Sequence, residues 1–501
     1  MMRDVIKLIL VMLILTGCQS ADADRDLLHV GLAQMPITLD PRFATDAASV
    51  RVQDFLHRGL LKLDASFNVE GDLAENWEHP GPLMWRFRLR QGVTFSDGSQ
   101  VTAEDVAATL RAVIDPALVS PLKASFAAID HIDVMDDYNL SIHLSRVDAS
   151  LLARLNLGIL PASIAGAPHN AHHTTGCGAY QLVAWKEGGM TLERRGETGP
   201  VARIHFTSVK DPVTRVLKLT RGELDFVQND LPPHLLPYIR DQKQLTIQTR
   251  PSTTFSYIGL NLQDEMLDDV RVRKALALAL DREKLKSALF SDLPVLAETV
   301  LTASHWASSQ LPAFAFNLNE AEQLLDAAGL PRDEDGIRFT LNYRTSTDPT
   351  RLRLATAVAA MWEKAGIKIS IESLEWGGFY ARIKRGDFQV FSLSWVGIAD
   401  PDIYRWILHT EMWPPKGANR GRYSSAVMDR WLDQAATADT QAERKALYAR
   451  VQQRMLEDMV YIPLWYDPVI AVSGARIRGF EPMPDGNLRG LMNIAFTTEK
   501  H

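Results

Sequence analysis

The apolar positions of this chain recur with two different periods, one typical of strands and one typical of amphipathic helices. Residues 85–89 (WRFRL) alternate apolar and basic side chains, which predicts a half-buried strand. Thr102 stands three residues before Asp105, and this capping-box spacing predicts a helix start, with Val106 and Leu110 on the apolar face. The first third of the chain therefore combines strands with at least one amphipathic helix.

Three more helices follow from the same signals. Asn319 is predicted to cap the first of them, and Gly329 is predicted to end it. The second helix is predicted at 352–365, and a strand follows from residue 367. The third is predicted from Thr440 to about Asp458, and a strand follows at 461–465. This succession predicts a mixed α/β chain with two halves of similar size and no internal repeat.

Composition excludes several classes of protein. The 501 residues include 54 Lys+Arg and 61 Asp+Glu, a net charge of −7, and 46% of them are hydrophobic. These values are typical of a globular protein of roughly three domains at about 150 residues each, and they exclude disorder and a multi-span membrane protein. An acidic balance favours no nucleic-acid partner. With only two cysteines, a disulfide framework is excluded.

The N-terminal segment is typical of an export signal. A basic start is followed by the apolar run 8–15 (LILVMLIL), which is shorter than the roughly 20 residues that span a bilayer. Residues 15–18 (LTGC) resemble the bacterial lipobox, which predicts a signal peptide at 1–17, lipidation of Cys18 and a tether at 18–26. Removing Arg3, Asp4 and Lys7 would take the net charge from −7 to −8. The alternatives are a plain signal peptide or a buried N-terminal helix.

Motifs of catalysis are absent from the sequence. It contains no GxSxG elbow, no HExxH helix and no GxxxxGK[ST] loop. Residues 176–178 (GCG) begin like a dinucleotide loop, but Gln181 replaces the third glycine, and Cys177 is expected to be buried. The histidines within 169–173 (HNAHH) are expected to form an exposed polar loop. We therefore expect no catalytic residue, no metal site and no cofactor.

Other segments of the sequence resemble those of a particular protein family. Residues 71–77 (GDLAENW), 85–95 (WRFRLRQGVTF) and 101–106 (VTAEDV) resemble the most distinctive region of one family, the peptide-type extracellular solute-binding proteins of ABC importers, family 5. That family includes dipeptide, oligopeptide and nickel binders. Further matches follow in order along the chain, at 38–41, 176–180, 222–225, 270–282, 365–367 and 462–464. The similarity covers nearly the whole chain beyond the tether.

The resemblance implies a bilobed periplasmic-binding-protein fold whose chain crosses between the lobes twice. By analogy, lobe I comprises residues 27–62, 181–262 and 471–501, a sub-domain comprises 63–180, and lobe II comprises 263–470. A peptide or peptide-like solute would bind between the lobes, which close by hinge motion. The expected protein is a monomer, lipid-anchored in the periplasm or at the cell surface through Cys18, that delivers its solute to an ABC permease complex.

The resemblance also implies which residues contact the solute. Ser394, Trp395 and Val396 match the lobe II segment that pairs with a peptide backbone, and Thr253, Thr254 and Tyr257 lie near a crossover. Arg420 has the chemistry to bind a carboxylate.

One position departs from the family pattern. Peptide-binding members place an aspartate three residues after the tryptophan, where it holds the ligand's ammonium group, and this chain has Ile398 there. Either Asp400 or Asp402 takes over this role, or the ligand lacks a free amino terminus. The alternative ligands are a nickel chelate, haem, an oligosaccharide or a murein peptide. An alternative of a different class is a cell-envelope hydrolase.

Overall fold

The computed structural model describes residues 26–172, 175–196, 199–232 and 235–497. Its strands are β1 Leu27–Leu32, β2 Leu61–Leu63, β3 Val69–Gly71, β4 Ala74–Gly81, β5 Met84–Leu89, β6 Ile129–Asp136, β7 Asn139–Leu144, β8 Tyr180–Lys186, β9 Gly189–Arg194, β10 Arg203–Ser208, β11 Phe226–Gln228, β12 Leu245–Leu260, β13 Val295–Leu296, β14 Phe339–Ser346, β15 Ile367–Leu374, β16 Val390–Trp395, β17 Tyr461–Gly474, β18 Ile477–Arg478 and β19 Ala495–Phe496.

The helices are α1 Ala47–Leu56, α2 Ala103–Ile114, α3 Leu151–Arg154, α4 Ala162–Ala165, α5 Pro212–Thr220, α6 Leu236–Arg240, α7 Val270–Leu278, α8 Arg282–Phe290, α9 Leu318–Ala327, α10 Pro349–Glu363, α11 Trp376–Arg385, α12 Ile403–Leu408, α13 Ala426–Thr437 and α14 Gln441–Glu457. The predicted Cys18 lipidation site, signal peptide and most of the tether lie outside the described residues. Among the residues that are described, no helix is long and apolar enough to cross a membrane.

The helices predicted from the sequence start at residues whose side chains cap the first turn. The backbone N–H of Thr102 donates to Asp105 Oδ2 at 2.7 Å at the start of α2, and Thr440 and Glu443 form a capping box at the start of α14. The predicted cap at Asn319 is wrong. Asn317 caps α9 instead, because its side chain accepts from the backbone N–H of Glu320 at 3.1 Å, and Asn319 lies inside the helix.

Two long strands connect the two lobes. β12 has 16 residues and β17 has 14, and they pair antiparallel from Leu245 opposite Gly474 to Gly259 opposite Tyr461. At one end this pair joins β11, β1, β10, β9 and β8, and at the other it joins β16, β14 and β15. Each lobe is therefore built on one end of the same strand pair, and each end packs against a hydrophobic core of its own.

A smaller sheet stands apart from the long one. Strands β4, β5, β7 and β6 form an antiparallel sheet in that order, and α2 packs on it over a core that includes Phe87, Val106 and Ile142. These elements fall within the predicted sub-domain, residues 63–180. The boundaries given for the lobes and the sub-domain stay predictions.

The GCG segment is a packing element. The backbone N–H of Gly178 donates to the carbonyl of Leu56, the last residue of α1, at 2.8 Å. A Cβ on Gly176 would lie 2.1 Å from the same carbonyl oxygen, so the glycines allow the backbone to approach the end of α1. Cys177 is buried as predicted, and burial raises the pKa of its thiol to about 11.

Candidate interlobe ligand site

Two prolines mark the point where the long strands pass from one lobe to the other. Pro251 of β12 stands opposite Pro468 of β17, and the register then shifts before Phe255 pairs with Tyr466. A proline has no backbone N–H to donate, so the hydrogen-bond ladder is interrupted here. This interruption gives the strand pair a natural hinge between the lobes.

The backbone of Thr253 ties both lobes to this hinge. Its carbonyl accepts from the backbone N–H of Ile398 in lobe II at 3.2 Å. Its own N–H donates to the carbonyl of Pro484, in the C-terminal segment, at 2.9 Å. Thr253 is buried, and its neighbour Thr254 is half-buried. The predicted residue Thr253 therefore contacts both sides of the hinge through its backbone.

A buried guanidinium lies at the lobe II side of the hinge. Arg420 donates to the hydroxyl oxygens of Tyr257 and Tyr380, each at 3.1 Å, and its Cζ lies 4.2 Å from the ring centre of Trp395. Trp395 also stacks nearly parallel on Tyr257, with ring centres 6.1 Å apart. Burial raises the pKa of Tyr257 to about 12, so its hydroxyl is neutral and cannot balance the charge. Arg420 is only 8% exposed.

From this guanidinium a row of rings and cations leads to the surface. Tyr380 stacks on Trp376 with ring centres 5.7 Å apart, and the Cζ of Arg351 lies 5.4 Å from the ring of Trp376. Trp376 is 47% exposed. We name Trp395, Arg420, Tyr380, Trp376 and Arg351 the arginine–aromatic cluster. Among the ion pairs of the described residues, none involves either arginine of this cluster. Asp467 interacts electrostatically with Arg351, whereas in the described part of the chain tyrosines and no carboxylate surround Arg420, so the charge of Arg420 is uncompensated.

Lobe I contributes a charged wall to the cleft. A cavity of about 730 Å³ is lined by Arg51, Asp54, Asp485 and Arg489 of lobe I, and Ala399 of lobe II borders it. Burial raises the pKa of Asp54 to about 7, although Arg489 lies 3.8 Å away and opposes this shift. A larger cavity of about 1180 Å³ is lined by Arg250 and Pro251 of β12 together with residues of lobe II and of the sub-domain.

Asp400 and Asp402 lie where lobe II meets the sub-domain. Asp400 Oδ1 accepts from the Ser150 hydroxyl at 2.7 Å and from Arg444 Nη2 at 3.2 Å. Arg444 also donates to the carbonyl of Ala149 at 3.0 Å. Burial and the neighbouring Asp400 raise the pKa of Asp402. We name the contact between Ser150, Asp400 and Arg444 the Arg444 junction.

The structure brings most of the predicted residues together. Ser394 and Trp395 end β16 beside Tyr257, and the Ser394 hydroxyl lies 2.8 Å from that of Ser256. Val396, which follows them, is 77% exposed and so is available to a ligand. Asp400 belongs to the Arg444 junction instead, and Asp402 lies two residues after it, where Asp400 and Arg444 influence its carboxyl. Ile398, at the position of the family's aspartate, is 6% exposed and packs in the lobe II core.

Several residues of the site were not predicted. Tyr380, Trp376 and Arg351 join Arg420 through side-chain contacts between elements far apart in sequence, which no local pattern indicates. The same holds for Ser150 and Arg444, which are 294 residues apart. The opposed prolines of the hinge carried a readable signal, because proline inside a strand pattern marks an interruption.

A bilobed α/β chain, with two strands shared between the lobes and a hinged cleft beside them, defines a periplasmic-type binding protein. The family model "Bacterial extracellular solute-binding proteins, family 5 Middle" matches residues 68–412. The chain belongs to this family. The resemblance stated from the sequence is thereby confirmed.

Known relatives align over most of their length. The oligopeptide-binding protein AppA of Bacillus subtilis is 25% identical over 497 residues, covering 93% of this chain and 90% of its own. The periplasmic oligopeptide-binding protein OppA of Salmonella typhimurium is 27% identical over 468 residues, covering 86% and 85%. The structure of HbpA2 from Haemophilus parasuis superposes with a TM-score of 0.85 at 22% identity, covering 94% of this chain and 100% of that one. These similarities confirm the predicted fold class.

Proposed function

We propose that this chain captures a peptide-like solute carrying a carboxylate in its interlobe cleft and delivers it to an ABC permease without chemical change. Family membership supports solute binding, and the names of the relatives AppA and OppA support peptides as the solute class. The observation that carries the proposal is the arginine–aromatic cluster, which places an unpaired buried guanidinium at the hinge.

The physical argument rests on the cost of burying charge. A guanidinium taken out of water is unfavourable unless a partner of opposite charge compensates it. Arg420 has two tyrosine hydroxyls and a tryptophan ring around it, which satisfy hydrogen bonds but leave its positive charge uncompensated. A carboxylate of the solute would supply the missing charge and accept hydrogen bonds in the geometry that guanidinium favours. The carboxylate and the backbone, more than the side chains, would then determine affinity.

The test combines one substitution with one change in the ligand. Binding of peptides with a free C-terminal carboxylate, and of the same peptides with a C-terminal amide, is measured by calorimetry for wild type and for Arg420→Gln. We expect a loss of about 10- to 100-fold for the acid, since hydrogen bonds between charged groups contribute about 1.5–3 kcal/mol. The amide should lose far less. Arg422→Gln is the matched control, because among the described residues the side chain of Arg422 donates only to the carbonyl of Arg385 and contacts Trp413.

The outcomes separate the two parts of the proposal. If acid and amide weaken equally in Arg420→Gln, the assigned role of Arg420 is wrong while peptide capture stands. If no di- to pentapeptide raises the melting temperature at millimolar concentration, peptide capture itself is wrong. Release of peptide fragments during such an assay would contradict the proposal of a binding protein without catalytic activity.

A second candidate keeps the cleft and changes the ligand. Ile398 is buried in the lobe II core, so no carboxylate occupies that position to hold an ammonium group. This observation favours a ligand without a free amino terminus, or one held by Asp400 or Asp402 after the Arg444 junction opens. Structures of similar fold include NikZ from Campylobacter jejuni with Ni(L-His), at a TM-score of 0.74 and 22% identity. N-acetylated peptides that bind as tightly as free ones would favour a blocked or non-peptide ligand.

The membrane anchor is part of the same proposal. We propose that Cys18 carries the lipid that holds a monomer at the membrane beside its permease, on the residues 15–18 (LTGC) that resemble a lipobox. An acidic surface would not itself attract an anionic membrane, which makes the lipid necessary. Cys18→Ala should leave an unprocessed precursor without lipid, as seen by mass spectrometry of the membrane fraction. Normal processing of that variant would contradict the anchor.

A further inference from the structure

A compact group of metal-binding side chains lies on the small sheet, outside the interlobe site. His131 of β6 stands opposite His143 of β7, and their rings stack with centres 4.2 Å apart and planes 8° apart. Asp133 follows two residues after His131 on the same strand, so its side chain emerges on the same face. One nitrogen or oxygen from each of these residues lies within 4.8 Å of the others.

The distances place both imidazoles around one carboxylate oxygen. Asp133 Oδ2 lies 3.2 Å from His143 Nε2 and 3.8 Å from His131 Nε2. Ligands of a tetrahedral zinc ion at about 2.0–2.1 Å from the metal are themselves separated by a little over 3 Å. Small rotations of the exposed side chains would therefore bring all three atoms to a common ion. No backbone movement is needed, because the two strands are already paired.

A fourth residue prepares one of the histidines for this role. The Nδ1–H of His131 donates to Asp130 Oδ2 at 2.8 Å. That bond holds the proton on Nδ1 and leaves Nε2, which faces Asp133, with a free lone pair. An outer carboxylate that orients the ligating imidazole in this way is a regular feature of metal sites.

The charge balance also favours a cation. Asp130 and Asp133 are each more than half exposed, and among the ion pairs of the described residues they are partnered by histidines alone. The two carboxylates therefore lack a permanent positive partner. A divalent ion would compensate both charges and replace the contact between Asp133 and His143 with two stronger bonds. Because β6 is the edge strand of its sheet, the ion would remain accessible from solvent.

We infer that His131, Asp133 and His143 form a surface site for a divalent late transition-metal ion such as Zn²⁺, Ni²⁺ or Cu²⁺, with Asp130 as a positioning residue. Two imidazoles and one carboxylate suit these ions better than Mg²⁺ or Ca²⁺, which prefer oxygen ligands. Three protein ligands leave at least one coordination position open to water. The site does not depend on which solute the cleft binds.

The test uses the full chain without an affinity tag of histidines, and Zn²⁺ as the probe. Calorimetric titration should show one equivalent of Zn²⁺ bound by wild type, and affinity at least about tenfold weaker for His131→Gln or His143→Gln. Cu²⁺ gives an independent readout. Its electron paramagnetic resonance spectrum should show coupling to two imidazole nitrogens in wild type and to only one in His143→Gln. Asp130→Asn should keep one equivalent but bind about 10- to 100-fold more weakly.

His172→Gln is the matched control, since His172 is an exposed histidine outside this sheet. It should bind Zn²⁺ like wild type. Zinc binding that is unchanged in the His131→Gln/His143→Gln double variant, or lost only in His172→Gln, would overturn the inference. So would the absence of saturable binding by wild type. The substituted side chains are at least partly exposed, so all variants should keep the wild-type melting temperature in the presence of EDTA.

Discussion

At the residue scale, Gly176 and Gly178 are glycines because the backbone at the end of α1 lies too close to them for a Cβ. Gly178→Ala would place a Cβ 2.4 Å from the carbonyl oxygen of Phe55, so either α1 or the glycine segment has to shift. We expect a loss of about 1–3 kcal/mol in the free energy of unfolding, the usual cost of overpacking. Urea unfolding followed by circular dichroism measures it.

Gly166 provides the comparison for this prediction. It lies outside helix α4 with a negative φ, and a Cβ there would meet no atom within 4 Å. Gly166→Ala should therefore leave the urea midpoint unchanged or raise it slightly. Equal effects of the two substitutions would mean that close packing at Gly178 contributes nothing to stability.

A second residue-scale prediction concerns Asp467, beside the hinge. Burial raises the pKa of its carboxyl to about 6, although Ser256 and Trp465 donate hydrogen bonds to it. Between about pH 4 and pH 6 the folded chain keeps a proton that the unfolded chain has released, so stability falls as pH rises. Asp467→Asn, which resembles the protonated form, should lack this fall and gain about 2–3 kcal/mol relative to wild type from pH 4 to pH 7.

The sign of this effect can be checked against an exposed carboxylate. Hydrogen bonds from Ser99 lower the pKa of Asp97, so stability from this group rises with pH instead. Asp97→Asn should therefore change the pH profile in the opposite direction. Unfolding curves for both variants are collected from about pH 2 to pH 7, because the contribution of Asp97 changes only below about pH 4. Parallel profiles for wild type and Asp467→Asn would contradict the prediction.

At the element scale, the cap of α9 separates two asparagines that are two residues apart. Asn317→Ala removes the side chain that accepts from Glu320 N–H, and we expect a loss of about 1 kcal/mol in the free energy of unfolding. Asn319→Ala should be neutral or slightly stabilising, because alanine is the better helix former inside α9. Urea unfolding of the two variants distinguishes them. A larger loss of stability in Asn319→Ala than in Asn317→Ala would support the cap predicted from sequence.

Elements were predictable where their signals are local. The starts of α2 and α14 depend on residues three apart, and β5 follows from simple alternation, so each could be read directly. The full lengths of β12 and β17 could not, because their strand state depends on pairing between residues about 200 positions apart. The shift from Asn319 to Asn317 shows that two capping residues so close together cannot be distinguished from local sequence alone.

At the scale of the whole molecule, the Arg444 junction links the sub-domain to lobe II. Ser150→Ala removes the 2.7 Å bond to Asp400, which should weaken the arrangement seen here by about 1 kcal/mol. We expect a larger radius of gyration without ligand, measured by small-angle X-ray scattering, and ligand affinity weakened about fivefold.

The control for the junction is the same substitution elsewhere in the sub-domain. The hydroxyl of Ser145 donates to the carbonyl of Ala128 at 3.2 Å, within the sub-domain itself. Ser145→Ala should leave both the radius of gyration and ligand affinity unchanged. If Ser150→Ala does the same, the junction does not influence the position of the lobes.

The site was predictable only as far as the family pattern extends. Trp395 and Arg420 were predicted as ligand contacts and lie together, but the resemblance could not show that tyrosines and a second arginine complete their surroundings. Asp400 and Asp402 were chosen for their charge and their nearness in sequence to Ile398. The partners of Asp400 are Ser150 and Arg444, which lie 250 and 44 residues away, and charge and order along one segment cannot indicate them.

The sharing of β17 between the lobes has a consequence for how the chain is made. β17 pairs with β12 in both lobes and with β11 in lobe I, and it follows every other strand of the long sheet along the chain. Neither lobe can complete its sheet while the ribosome is still translating the segments before it. The lobes therefore cannot fold one after the other in the order of synthesis, as independent domains do. A chain of an extracellular family that cannot complete its long sheet before β17 is made stays incompletely folded for longer, and an unfolded chain is the form that can be threaded across a membrane.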